Sequence, residues 1–149
     1  MDIIPAEFSQ IEDIVRMSVR AFRTDIEVGG AEKDAPPEYD SVLWHRQMAE
    51  DGHLFQAMIG EKIVGAAILF EDDNQQSLYI GRIFIDSLYH NKGFGLQLME
   101  AIENKFSYLR EINLDTPRWN VRTNAFYQKL GYEITGIEDG FVLYQKKIV

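Results

Sequence analysis

The 149-residue chain contains no cysteine. That absence removes disulfides, thiolate metal sites and any cysteine nucleophile, and it suits a reducing compartment. Basic residues are also in short supply: 15 Lys and Arg stand against 24 Asp and Glu, a formal net charge of −9. A nucleic-acid binder needs cations to displace counterions from phosphates, so no nucleic-acid partner is expected. Long apolar runs are missing too, since the longest, Ile63 to Phe70, is far too short to span a bilayer as a helix. The first residues, Met1-Asp2-Ile3-Ile4-Pro5, lack the basic start and apolar core of a secretory signal. The expectation is a cytoplasmic protein with no membrane partner. His45, His53 and His90 show no ligand spacing, so no metal is expected.

What is present reads as one domain over residues 1–149, with 46% apolar and 26% charged residues, enough to bury a core without staples. Ser9-Gln10-Ile11-Glu12 has the form of a capping box, and Ile11, Ile14, Val15, Val19 and Phe22 follow at helical spacing. Arg23 to Asp40 breaks the pattern with Gly29-Gly30, Pro36-Pro37 and six acids (Asp25, Glu27, Glu32, Asp34, Glu38, Asp40), and reads as a surface loop. A short helix is expected from Ser41 to Glu50. Leu54–Ile59 and Ile63–Phe70 flank Gly60-Glu61-Lys62 as a hairpin, and Leu78–Ile85 is a third strand. Gly81 inside that strand signals a bulge or a close backbone approach. A helix starting near Gly93 presents Phe94, Leu98, Ala101, Ile102 and Leu109 on one face. A strand at Glu111–Asp115, a helix at Asn120–Leu130 and a hairpin over Tyr132–Lys147, turned at Asp139-Gly140, complete the chain.

The segment His90-Asn91-Lys92-Gly93-Phe94-Gly95 lies between a strand and a helix. Its glycines let the backbone approach a ligand that a Cβ would obstruct. The helix start then aims free N–H groups and a positive dipole end at one place, which suits a phosphate or pyrophosphate. A phosphate-binding NTPase loop would need Gly-Lys-Ser/Thr, which is absent. A dinucleotide fingerprint would need a third glycine where Leu98 stands.

The segment resembles the loop Arg/Gln-x-x-Gly-x-Gly/Ala of the GCN5-related N-acetyltransferase (GNAT) family, matching at Gly93 and Gly95 and departing at His90. The family's second signature, Asn-x-x-Ala-x-x-x-Tyr-x-x-x-Gly-Phe, is matched by Asn120, Tyr127 and Gly131, with Thr123 for Ala and Tyr132 for Phe. The resemblance implies an α/β (α+β) fold: a mixed, mostly antiparallel sheet of six to seven strands, helices on both faces and a splayed central strand pair. It implies acetyl-CoA as co-substrate, held by Ile83, Phe84, Ile85, His90, Asn91, Lys92, Gly93, Phe94, Gly95, Leu96 and Asn120. Tyr127 is the implied catalytic acid, a phenol with pKa about 10 that stays protonated at neutral pH.

The implied activity is transfer of an acetyl group to an amine of a small molecule or peptide by direct attack in a ternary complex. An alkylammonium is neutral in only about one part in a thousand at pH 7, a deficit of roughly 4 kcal/mol. Many family members place a glutamate on the strand before the loop to take that proton, but Leu78–Ile85 has none. Asp86, Asp115 and water are the alternatives. The polarising donor is expected to be a backbone N–H near Ile85. The Arg23–Asp40 loop, Trp44 and the Trp119 region are expected to border the acceptor groove, with the acids favouring a cationic amine. A non-catalytic acyl-CoA sensor and a transferase acting on aminoacyl-tRNA are the competing functions, and a homodimer is a possible assembly.

Overall fold

The computed structural model describes residues 1–27 and 35–148, and of residues 25–27 the backbone alone. Along the chain run β1 (Asp2–Pro5), α1 (Ile11–Glu27), α2 (Val42–Glu50), β2 (Leu54–Ile59), β3 (Lys62–Asp72) and β4 (Ser77–Ile85). They are followed by α3 (Phe94–Lys105), β5 (Glu111–Pro117), α4 (Val121–Lys129), β6 (Glu133–Glu138) and β7 (Phe141–Lys147). The strands form one seven-stranded sheet in the order β1-β2-β3-β4-β5-β7-β6. Neighbours are antiparallel except β4 and β5, which are parallel. This is the expected fold class.

Both faces of the sheet are covered, which is why Val64 to Leu69 in β3 are buried without a break. Ala66 and Ile68 point to a core shared with Ile14 and Ala21 of α1. Ala67 and Leu69 point the other way, to Leu98, Met99 and Ile102 of α3 and Tyr127 of α4.

The start of α1 differs from the expected capping box. Ser9 lies inside a short 3-10 turn, Phe8–Gln10, preceded by Glu7 with no side-chain cap. The sheet sets this path: Ala6 N–H donates to the Leu54 carbonyl at 2.9 Å, and Glu7 N–H to Gln56 Oε1 at 3.0 Å. α1 also runs to Glu27, past the expected break at Arg23, because neither glycine nor proline occurs between Ile11 and Gly29. Helix α3 stops at Lys105, so Leu109 is buried from the turn beyond it. Ser41 does cap α2, accepting the Trp44 N–H at 3.0 Å. The Asp139-Gly140 turn forms with φ of 51° and 83°.

Two glycines decide the shape of the sheet centre. Opposite β3, the register jumps from Ile68↔Arg82 to Leu69↔Ile80, so Gly81 is the extra residue of a β-bulge. Ile80 and Ile83 consequently both face the α3 core, and Arg82 turns to the α1 side, over Phe22 and Trp44. Gly65 of β3 lets the end of β4 come close, since a Cβ there would overlap the Phe84 carbonyl oxygen. Parallel pairing joins β4 to β5 only from Ser77↔Glu111 to Ile80↔Leu114. Beyond it, β4 follows β3 to Ile85 while β5 follows β7 to Pro117↔Phe141. The two central strands part, and the opening lies in the middle of the molecule. Among the described residues no helix is long and apolar enough to cross a membrane.

Replacing Gly65 with alanine should destabilise the fold by about 1–3 kcal/mol, the usual cost of forcing atoms into a packed strand pair. Urea unfolding of the variant measures it, and an unchanged midpoint would show that β3 and β4 can separate freely there.

Candidate functional site

The opening between β4 and β5 is entered from two sides. On the α3 side lies a cavity of about 450 Å3, lined by Ile83, Phe84 and Ile85 of β4, by Tyr89, His90, Asn91 and Gly93 of the loop, and by Phe94, Gly95, Leu96 and Leu98 of α3. Arg122, Thr123, Phe126 and Tyr127 of α4 close it. The loop turns on two left-handed residues, Asn91 at φ 62° and Gly93 at φ 76°, the second of which precedes the helix directly. Gln97 N–H donates to the Gly93 carbonyl at 3.2 Å as the helix's first turn closes. The N–H groups of Phe94, Gly95 and Leu96 lie before that bond and have no helical acceptor. A Cβ on Gly95 would stand 3.7 Å from the Phe126 ring, an ordinary contact. The protein's own packing therefore tolerates a side chain there.

At the end of β4 the Asp86 N–H donates to the Val64 carbonyl at 2.8 Å, which directs Phe84 and Asp86 main chain toward β3. By alternation, the main-chain groups of Ile83 and Ile85 face the opening. His90 Nε2 lies 2.7 Å from the Ile85 carbonyl and donates to it, so the Ile83 N–H and C=O and the Ile85 N–H are left for a ligand. The arrangement offers an extended chain two donors and one acceptor, then a helix start for a phosphate.

On the α1 side lies a second cavity of about 300 Å3, walled by Phe22, Pro36, Pro37, Gly81, Arg82, Leu114, Asp115, Trp119 and Phe141. Ile83, Thr123 and Tyr127 line both cavities. Tyr127 is 7% exposed, packs among Phe126, Tyr132 and Tyr144, and has its pKa raised, first by burial and then by the charge of Asp115. Tyr79 donates its hydroxyl to Asp115 Oδ2 at 2.8 Å. Burial and that bond push the Tyr79 phenol up to about 12.

Asp86, the other candidate base, is committed elsewhere. Its two oxygens take Arg20 Nε at 2.8 Å and Nη2 at 2.7 Å, and Oδ1 also accepts the Leu88 N–H at 3.3 Å. Burial pushes this carboxyl up, but the Arg20 bonds, the Leu88 N–H and the nearby positive charge outweigh it and hold the pKa below the usual carboxylate value. A carboxylate so held fixes the loop start to α1 and is a poor proton acceptor.

Of the cofactor-binding residues expected from sequence, nine line the first cavity: Ile83, Phe84, Ile85, His90, Asn91, Gly93, Phe94, Gly95 and Leu96. Lys92 is exposed and outside the lining. Asn120 lines the second cavity instead and caps α4, its Oδ1 accepting the Thr123 N–H at 3.1 Å. Tyr89, Leu98, Arg122, Thr123 and Phe126 are lining residues that sequence reasoning missed. The helical spacing of Arg122, Phe126 and Thr123 with Tyr127 was the available signal. Trp119 borders the second cavity; Trp44 does so only through Arg82, whose guanidinium lies 4.7 Å from its ring centre. Of the six loop acids, Glu32 and Asp34 and the side chains of Asp25 and Glu27 lie outside the described residues. Glu38 and Asp40 are exposed and line neither cavity.

A family model described as the Acetyltransferase (GNAT) family matches residues 12–132. The chain belongs to the GNAT acetyltransferase family. Among its relatives, the uncharacterized protein YdhI of Bacillus subtilis is 39% identical over 57 residues, 37% of this chain and 36% of the relative. The uncharacterized N-acetyltransferase YesJ of Bacillus subtilis is 25% identical over 117 residues, 76% of this chain and 51% of the relative. The chain thus spans only about a third and a half of these two relatives. The PaiA N-acetyltransferase of Thermoplasma acidophilum, solved in complex with coenzyme A, superposes with a TM-score of 0.84 at 15% identity, covering 98% of each chain. At that identity the likeness shows a shared GNAT fold. Among the described residues no group of three or more His, Asp or Glu could hold a metal ion.

The Asp86–Arg20 pair ties this GNAT loop to α1, and its loss is measurable. Arg20→Ala should cost about 2–3 kcal/mol, less than a fully buried pair because the Arg20 side chain is 38% exposed. The folded-state pKa of Asp86 lies below its ordinary 3.8, so the pair's contribution is complete at neutral pH and fades as pH falls below that value. In the variant the carboxyl rises and acid unfolding should move to higher pH. Thermal melts from pH 7 to 3 give the comparison, and superimposable acid limbs would refute the assignment.

Proposed function

We propose that this chain is an N-acetyltransferase that moves an acetyl group from acetyl-CoA to an amine of a small molecule or peptide, by direct attack in a ternary complex. The observation that carries the reading is the meeting of two cavities at Ile83, Thr123 and Tyr127, one lined by the start of α3 with its free N–H groups and one by the Asp115 carboxylate. Donor and acceptor can be bound at once, from opposite faces of the sheet, with their reacting groups in the opening.

Acetyl-CoA supplies an activated thioester: a C–N bond forms to the amine, the C–S bond breaks, and one proton passes from nitrogen toward sulfur. The residues of the chain bind and orient. The N–H groups of Phe94, Gly95 and Leu96 meet the pyrophosphate, and the free edge of Ile83 and Ile85 aligns the pantetheine arm. The Ile85 N–H, at the end of that edge, is placed to polarise the thioester carbonyl. Asp115 lies in the acceptor cavity and is the better placed carboxylate to receive the amine's proton, since Asp86 is locked to Arg20. The buried Tyr127 phenol keeps its proton at neutral pH and donates a hydrogen bond to the departing sulfur. Because burial raises its pKa, it acts more by stabilising the thiolate than by complete proton transfer.

Tyr127→Phe should lower kcat about 10²-fold, the low end of acid–base contributions, with coenzyme A affinity unchanged. Free-thiol release across an amine panel and calorimetric titration with coenzyme A read the two quantities. Normal turnover in the variant would remove Tyr127 from the mechanism. Coenzyme A binding without thiol release from any amine would make the chain an acyl-CoA-binding module instead.

A further inference from the structure

The acceptor cavity contains a cation whose hydrogen-bonding capacity is only partly used among the described residues. Arg82 donates from Nη2 to the Pro37 carbonyl at 2.8 Å, while its Nη1 is buried without a hydrogen-bond partner among the described residues. Aromatic rings flank the guanidinium, Trp44 at 4.7 Å and Phe22 at 6.0 Å from the ring centres. No carboxylate among the described residues forms an ion pair with it. Burial lowers its pKa to about 10, with the exposed Glu38 opposing that shift, so it stays charged at neutral pH. A desolvated cation with an orphan donor is costly unless an anion completes it. A planar guanidinium with an unpartnered Nη1 suits a carboxylate.

The opposite charge lies across the opening. Asp115 stands on β5 and Arg82 on β4, just past the last parallel pair, Ile80↔Leu114. Both line the same cavity, yet they do not pair with each other. The cavity is therefore bipolar, positive on the β4 wall and negative on the β5 wall, with Trp119 and Phe141 supplying apolar surface. Its volume of about 300 Å3 accommodates a molecule of amino-acid size. A zwitterion also escapes the general repulsion that a chain of net charge −9 exerts on a simple anion.

We propose that the acceptor is a free amino acid or close analogue with an apolar or aromatic side chain, its carboxylate on Arg82 and its amine directed across the opening to Asp115 and Tyr127. This rests on the transferase reading above, and it replaces the cationic acceptor suggested by the acidic loop. A carboxylate attached next to the amine, not the amine alone, becomes the feature that the site selects.

The test compares L-phenylalanine with phenethylamine, and L-leucine with 3-methylbutylamine, which differ only in the carboxylate. Thiol release from acetyl-CoA should favour each amino acid by about 10- to 100-fold in kcat/KM, the range for a hydrogen bond to a charged partner. Arg82→Gln should raise KM for the amino acids by that factor with kcat little changed, and so abolish their preference over the two simple amines. Arg82→Lys should keep part of it, because charge survives and the fork does not. The wild-type comparison needs no variant, so a folding defect in Arg82→Gln cannot mask the result.

Calorimetric binding of N-acetyl-L-phenylalanine to the coenzyme A-loaded protein provides a readout independent of turnover. Binding that disappears in Arg82→Gln, without thiol release from any amine, would uphold the anion site and sink the transferase reading. Equal turnover of the amino acids and their decarboxylated partners would overturn the Arg82 proposal and leave the transferase standing. Absence of both carboxylate binding and carboxylate preference would likewise overturn it.

Discussion

The structure depends on the early end of one ladder. β4 and β5 pair over four residues, Ser77 to Ile80, and then each follows its other neighbour. The separation leaves main-chain donors and acceptors facing an opening in the protein's interior, where an unpaired group costs as much as a lost hydrogen bond. Much of the nearby sequence answers that cost. The His90 ring occupies the Ile85 carbonyl. Asn120 caps α4 beside the gap, and the Thr116 and Thr123 hydroxyls bind each other at 2.7 Å, fastening α4 to the diverging strand. What remains unsatisfied is a short row of β4 groups that an extended ligand can use. The site is the part of the sheet that the chain itself does not complete.

Much of this was legible in the sequence where the signal is local. Gly81 within an apolar strand announced the bulge, and the strand–loop–helix with Gly93 and Gly95 announced the cradle. Two motifs in order placed Tyr127 across from it. Signals that depend on residues far apart were not legible. Asp86 could be named as a possible base, but its commitment to Arg20, 66 positions away, could not be read from either residue. Nor could the bond between Tyr79 and Asp115, 36 positions apart. The Ser9 box failed for a related reason: a good local cap lost to a tertiary demand, the pairing of Ala6 and Glu7 with β2. Of the six acids of the loop, the two whose side chains are described, Glu38 and Asp40, line neither cavity, while Pro36 and Pro37 of the same segment border the second one. The charge on the described β4 wall is that of Arg82, through a bulge that turned its side chain to the α1 face.

His90 shows how a departure from a family pattern can be a change of partner. A long Arg or Gln at the start of the loop would reach toward a ligand. The imidazole is shorter and rigid, and it turns back to the strand end, holding the Ile85 carbonyl from Nε2. The same residue lies close to Asp86, whose carboxylate is held by Arg20 of α1. Strand end, loop and α1 are thereby connected through two side chains. The backbone donors at the start of α3, which suit an anion, are left untouched by this exchange.

The two ends of the proposed reaction are coupled by a single charge. Asp115 raises the pKa of Tyr127 through its negative charge, adding to the larger effect of burial. While Asp115 is ionised, the phenol is a reluctant acid, suited to wait with its proton in place. If the amine's proton passes to Asp115 as the C–N bond forms, that charge is neutralised and its part of the shift disappears. Tyr127 becomes a stronger donor at the moment the sulfur acquires negative charge. The Tyr79 hydroxyl, bonded to Asp115, gives the carboxylate a fixed orientation throughout. Loss of the amine's proton to Asp115 thus strengthens the hydrogen bond that Tyr127 gives the departing sulfur. This coupling requires only that Asp115 and Tyr127 stay within electrostatic reach, as two residues lining one cavity do.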